Sequence, residues 1–101
     1  MRLLKPFAVA LAFALSATSL NAASAAEFCM VTDPTDTPLN VRAAPSNKGK
    51  VLDTIENESI VIIAKYSKNK KWAYIKDADT KQNIGWVYRE YLSCSPSLKN
   101  R

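Results

Sequence analysis

The stretch NIGWVYREYLSC, residues 83–94, decides how this chain is read. Strand alternation puts Gly85 and Val87 on one side and Ile84, Trp86 and Tyr88 on the other. The short REY segment then breaks the alternation before Leu92. Trp86, Tyr88 and Tyr91 therefore fall within six positions, and the alternation does not send them all inward. Rings placed this way either wall off a small core or form a surface that holds a ligand.

Working outward from this stretch, short apolar segments recur between turn signals. Phe28–Thr32 is a first apolar run, closed by DPTDTP with its two prolines. In LNVR (39–42), Leu39 and Val41 share a face, and in VLDTI (51–55) so do Val51 and Ile55. AAPSNKGK between them reads as a loop, with Asn47 and Gly49 free to take positive φ. IVIIAKY (60–66) is apolar at consecutive positions and rich in β-branched residues, which suits a strand covered on both sides. SKNKK turns the chain, WAYIK (72–76) pairs back, and DADTKQN leads to the aromatic stretch. There is no sustained helical period beyond the first residues, and no internal repeat.

Those first residues form a segment of a different kind. Arg2 and Lys5 precede an apolar run, Phe7–Leu15, and NAASAAE then places small residues where a signal peptidase reads. The expectation is a cleavable leader over 1–26, one domain over 27–94 and a flexible tail over 95–101. The apolar run is shorter than the roughly 20 residues a spanning anchor needs. Glu27 and Phe28 also stand where a lipid-attachment signal needs small residues before its cysteine. The mature protein is thus expected in the periplasm or secreted, without a membrane span. Losing Arg2 and Lys5 takes Lys+Arg from 14 to 12 against nine acids, so the net charge falls from +5 to +3. A charge that small on an exported protein argues against nucleic acid as a partner.

Cys29 and Cys94 are the only two cysteines, and they bracket the expected domain. In an exported protein such a pair suggests a disulfide, the alternatives being a metal pair or a reactive thiol. With no histidine and no third thiol, a structural zinc site is short of ligands. The bridge would require the two ends of the domain to lie side by side. The absence of histidine also excludes Ser-His and Cys-His nucleophile systems. Asp53, Glu56, Glu58, Asp77 and Asp79 are the acids available for acid–base chemistry, but all except Asp53 lie in predicted loops or strand ends. Neither catalysis nor a cofactor is expected.

Taken in order, LNVRAAPS, GKVLDTI, the apolar strand at 60–66, Trp72 followed by Ile75, and GWVYREYL resemble the bacterial SH3-like (SH3b) domain family. The resemblance covers roughly residues 31–93. It implies an all-β fold, a small SH3-like barrel of about five bent antiparallel strands, with a short 3-10 turn before the last strand and neighbouring termini. One departure is Asn57, where the family often has glycine; asparagine also enters the left-handed region. The resemblance further implies that Val87 and Leu92 point inward. Compared with eukaryotic SH3 domains, Trp72 matches the tryptophan that leads the peptide groove. Tyr88 takes the place of its proline, Tyr91 matches its tyrosine, and the paired tyrosines of the opposite wall have no counterpart near MVTDPTDTP.

Three candidate sites follow. Trp72, Tyr88 and Tyr91 form an aromatic shelf suited to glycan or peptide, the plainer alternative being rings that cap the barrel and cover the disulfide. Lys65, Lys68, Lys70 and Lys71 form a basic patch for anionic surfaces, or else a solvated turn that discourages edge pairing. Arg42 either holds a ligand carboxylate or pairs with Asp53 or Asp36 to fix its loop. The resemblance implies a non-catalytic binding module associated with the cell wall, commonly peptidoglycan and commonly attached to a hydrolase. No hydrolase accompanies it in this sequence, so it is expected to act, as a monomer, as an adaptor or wall-bound factor. The alternative partner is another protein, periplasmic or from a host.

Overall fold

A computed structural model describes residues 26–100. The leader expected over 1–26 lies, apart from Ala26, outside the described residues. The rest is all-β: β1 (Glu27–Val31), β2 (Leu39–Arg42), β3 (Val51–Ile55), β4 (Ile60–Tyr66), β5 (Trp72–Asp77), β6 (Asn83–Tyr88) and β7 (Leu92–Cys94). A 3-10 turn, Arg89–Tyr91, sits between β6 and β7, and a second, Pro96–Asn100, follows β7. Among the described residues no helix is long and apolar enough to cross a membrane.

The strands form one antiparallel sheet in the order β3-β2-β6-β5-β4-β1-β7. Seven strands stand where about five were expected, because both ends of the domain enter the ladder. β1 pairs with β4 on one side and with the three-residue β7 on the other. Register irregularities at Val41/Arg42, Ile63/Lys65 and Ile75/Lys76 bend the strands, as inserted residues do. The bending lets residues from six strands meet in one cluster: Cys29, Val31, Leu39, Val41, Val61, Ile63, Ala73, Ile75, Val87 and Leu92. Every member is aliphatic or cysteine, so no ring belongs to the buried cluster. Val87 and Leu92 point inward, as the resemblance implied.

β4 is buried at Val61, Ile62 and Ile63 but exposed at Ala64 and Lys65, so only its first half is covered on both sides. β3 is an edge strand and its Val51 and Leu52 remain exposed; only its Ile55 packs against the cluster. Cys29 and Cys94 are opposite each other in the β1–β7 ladder and are joined by a disulfide. Beyond it, the segment expected to be a flexible tail forms the second 3-10 turn with Leu98 buried. Leu98 shares a wall with Phe28 and Ile60.

Two local expectations are replaced. Gly49 and Asn47 are not among the described residues with positive φ; those are Asp36, Glu58, Lys70, Lys81 and Gly85. Gly49 is needed for space instead, since a Cβ there would lie 2.8 Å from the Ala44 carbonyl oxygen. In the turn after β3 the left-handed residue is Glu58, not Asn57. Asn57 uses its side chain to hold the neighbouring loop: Oδ1 accepts from the Asp33 N–H at 2.6 Å and Nδ2 donates to the Thr37 carbonyl at 3.1 Å.

Candidate functional site

The β5–β6 ladder sets Trp72 opposite Tyr88 and Tyr74 opposite Trp86. Their neighbours Ala73, Ile75, Gly85 and Val87 face the core, so all four rings project from the outer face of the sheet. Trp72 and Tyr88 meet edge to face at 4.9 Å between centroids, and Tyr88 lies 5.7 Å from Tyr91, which the 3-10 turn carries. Trp72 is only 7% exposed although it stands outside the core cluster. It is covered from the outside, by the rings and loops of a groove.

That groove is an open cavity of about 380 Å³. Trp72, Tyr88 and Tyr91 form one wall, and Arg42 lines it with them. The opposite side comes from the loop after β1, through Asp33, Thr37 and Pro38, which Asn57 holds in place. Asn47 of the β2–β3 loop also lines it. The expected aromatic shelf and Arg42 thus meet in one concavity. The loop residues were not legible as part of it, because they come from segments far apart in sequence. DPTDTP marked a turn, but nothing in it showed that the turn folds towards Trp72.

Arg42 does fix its loop, with a different partner from the two acids expected. Nη1 donates to the Gly49 carbonyl at 2.9 Å, because the β2–β3 loop folds back over the strand end. Asp53 instead accepts from the neighbouring Thr54 N–H. A guanidinium carries five N–H donors, so Arg42 can hold the loop and still present donors to the groove.

The four lysines take different settings, with Lys70 and Lys71 together at one hollow. Lys65 lies on the outer face with Nζ 5.3 Å from the Tyr74 ring centroid and 5.7 Å from that of Trp86. Lys70, at φ 65 in the hairpin turn, reaches over Tyr66 at 5.8 Å. Lys71 lines a second hollow with Tyr88, Arg89 and Glu90, and Lys68 faces Pro45. Tyr88 is shared by this hollow and the groove.

Two titrating groups have structural roles. The Tyr66 hydroxyl donates to Glu27 Oε1 at 2.6 Å; burial first, and then this bond, push its phenol above the ordinary 10.0. The Asp77 carboxylate accepts from the backbone N–H groups of Thr80 and Asp79, which hold it below its ordinary 3.8. A carboxylate kept ionised in this way is a turn anchor, not a proton donor. Glu27, Cys29 and Cys94 come within 4.8 Å of one another, but both sulfurs are consumed in the disulfide. They are unavailable as thiolate metal ligands.

With this geometry in place, the comparison with known families is decisive: the family model of the bacterial SH3 domain matches residues 37–93. The chain belongs to that family. The matched span runs from Thr37 in the loop after β1 to Ser93 within β7, and so contains Arg42, Trp72, Tyr88 and Tyr91. No curated protein and no solved structure matches the chain. Bacterial SH3 domains are generally binding modules, and a disulfide-bonded one is compatible with an extracytoplasmic setting.

Proposed function

We propose that this bacterial SH3 domain is an exported, non-catalytic binding module that associates with the cell wall through the groove between Arg42 and the Trp72–Tyr88–Tyr91 wall. The observation that carries this reading is the position of Trp72, buried yet outside the aliphatic core. A buried tryptophan under two partly exposed tyrosines, with an arginine in the same open cavity, suits a ligand with both apolar faces and polar groups. Sugar rings and short peptides of peptidoglycan have that character. Residues 1–26 are read as the cleaved leader, 27–94 as the domain and 95–101 as its terminal segment, with the mature protein monomeric in the periplasm or outside the cell.

Co-sedimentation of the oxidised mature domain with purified peptidoglycan tests this. Binding that survives moderate salt and is lost in Tyr88→Ala/Tyr91→Ala supports the groove. Binding removed by salt alone, or by neutralising Lys68, Lys70 and Lys71, makes it nonspecific charge attraction and overturns the reading. A protein partner is the second reading, favoured by the exposed Val51 and Leu52 on edge strand β3. It predicts capture of a protein and no affinity for purified wall.

A further inference from the structure

The ladder registers place Arg42 of β2 opposite Trp86 of β6, Trp86 opposite Tyr74 of β5, and Tyr74 opposite Lys65 of β4. These four residues form a straight row across four strands, distinct from the Trp72–Tyr88 row. With strands about 4.8 Å apart, the row spans roughly 14 Å from one cation to the other. Tyr74 and Trp86 meet edge to face at 5.3 Å and are both half-exposed. Elsewhere on the outer face the chain covers its own apolar residues: the 3-10 turn at Pro96–Asn100 packs on β1, and Ile62, which neighbours Phe28 in the ladder, is buried. No segment of the described chain does this for Tyr74 and Trp86.

We infer that this row is a second binding site, for a polysaccharide whose sugars carry carboxylates. A partly exposed aromatic ring suits the C–H face of a pyranose ring, with little loss of side-chain freedom. The charge pattern selects the acidic class. Lys65 stands at one end as a mobile ammonium near both rings, and Arg42 stands at the other with guanidinium donors beyond the one bound to Gly49. A uronate strand lying across the β-strands would offer carboxylates to the Lys65 ammonium, which otherwise rests over the two rings, and to the Arg42 donors that Gly49 leaves free. Arg42 also lines the groove, so the two sites adjoin there, but the row does not depend on what the groove holds.

The test is titration of the oxidised mature domain with oligogalacturonate, read by tryptophan fluorescence or by NMR shifts, with a neutral gluco-oligosaccharide of equal length beside it. Saturable binding of the uronate oligomer and none of the neutral one is expected. Lys65→Gln and Tyr74→Ala are each expected to weaken binding at least fivefold at a temperature well below the melting transition of every variant, while Lys81→Gln, an equal loss of charge elsewhere, leaves it intact. Equal weakening by Lys81→Gln would reduce the effect to net charge and overturn the proposal. Binding unaffected by Lys65→Gln and Tyr74→Ala, or absent altogether, would overturn it as well. Peptidoglycan sedimentation of the same variants reads the groove separately.

Discussion

Reduction of Cys29–Cys94 is the perturbation whose size the structure fixes best. The two residues are separated by 65 positions. In the chain-entropy model, opening a loop of that length costs about 4 kcal/mol at 25 °C by freeing the unfolded chain. A domain of this size has roughly 4–11 kcal/mol of stability in all, so the bridge supplies a third or more of it. The native ladder explains why little compensates. β7 is three residues long, and it is held by its pairing with Cys29, Met30 and Val31 at the point where the bridge stands. Urea unfolding of the oxidised and reduced wild-type domain, followed by tryptophan fluorescence, should show a difference of about 4 kcal/mol. The corresponding fall in Tm is roughly 15–30 °C. Comparison within the wild type is preferable to substitution, because Cys29 is fully buried and Cys29→Ala would add a packing loss. Oxidised and reduced forms agreeing within about 1 kcal/mol would refute the reasoning. It would mean that the ends of the sheet hold together without a bond, or that the reduced unfolded state is already compact.

Gly85→Ala should destabilise by on the order of 2–3 kcal/mol in the same assay, since φ is +149° and a Cβ would lie 2.6 Å from Val41 Cγ1, inside the core. Asn57→Ala should cost about 1–2 kcal/mol by leaving the Asp33 N–H unpaired, and it should weaken peptidoglycan binding beyond its effect on stability, because the freed loop is the groove's polar wall. Tyr66 has a raised phenol pKa in the folded state, so its contribution is complete below pH about 10 and is lost as pH rises through the folded value. Urea midpoints measured at pH 8 and above pH 10 should therefore fall more for the wild type than for Tyr66→Phe.

The sequence was most legible where a residue's environment is set by its neighbours in the chain. Period-2 alternation put Leu39 and Val41 on one face and separated Val87 from Trp86 and Tyr88, and the family resemblance told which side of that last strand is the core. The pairing of the cysteines was suggested by their number and placement, the expected leader and the lack of histidine, with a metal pair or a reactive thiol as the alternatives. Legibility failed where distant segments meet. Arg42 was expected to find an acid, yet the loop it caps supplies a carbonyl, and no local pattern encodes which of the two lies within reach. The second 3-10 turn was invisible for the same reason. SPSLKN holds Leu98 among four turn formers, Ser95, Pro96, Ser97 and Asn100, and only the fold shows that Leu98 has a surface to cover. The row through Lys65, Tyr74, Trp86 and Arg42 is a product of register, which one sequence does not specify across four strands.

The same division bears on how binding and stability are distributed. The buried cluster itself is aliphatic, with Tyr66 and Tyr91 packed against it and Trp72 buried outside it, so these contacts, the disulfide and bends in the strands hold the sheet. Small domains are short of apolar area to bury, and a large ring left half-exposed forgoes stabilisation that an inward position would provide. Tyr74, Trp86 and Tyr88 are all in that position. Cross-strand contact between rings returns only about 0.5–1.5 kcal/mol per pair. Substituting these three should therefore impair binding far more than folding, whereas Val87→Ala or Ile75→Ala should do the reverse. If melting temperatures fell as steeply for Tyr74→Ala as for Ile75→Ala, the rings would be part of the framework, and the case for ligand sites on this face would fail.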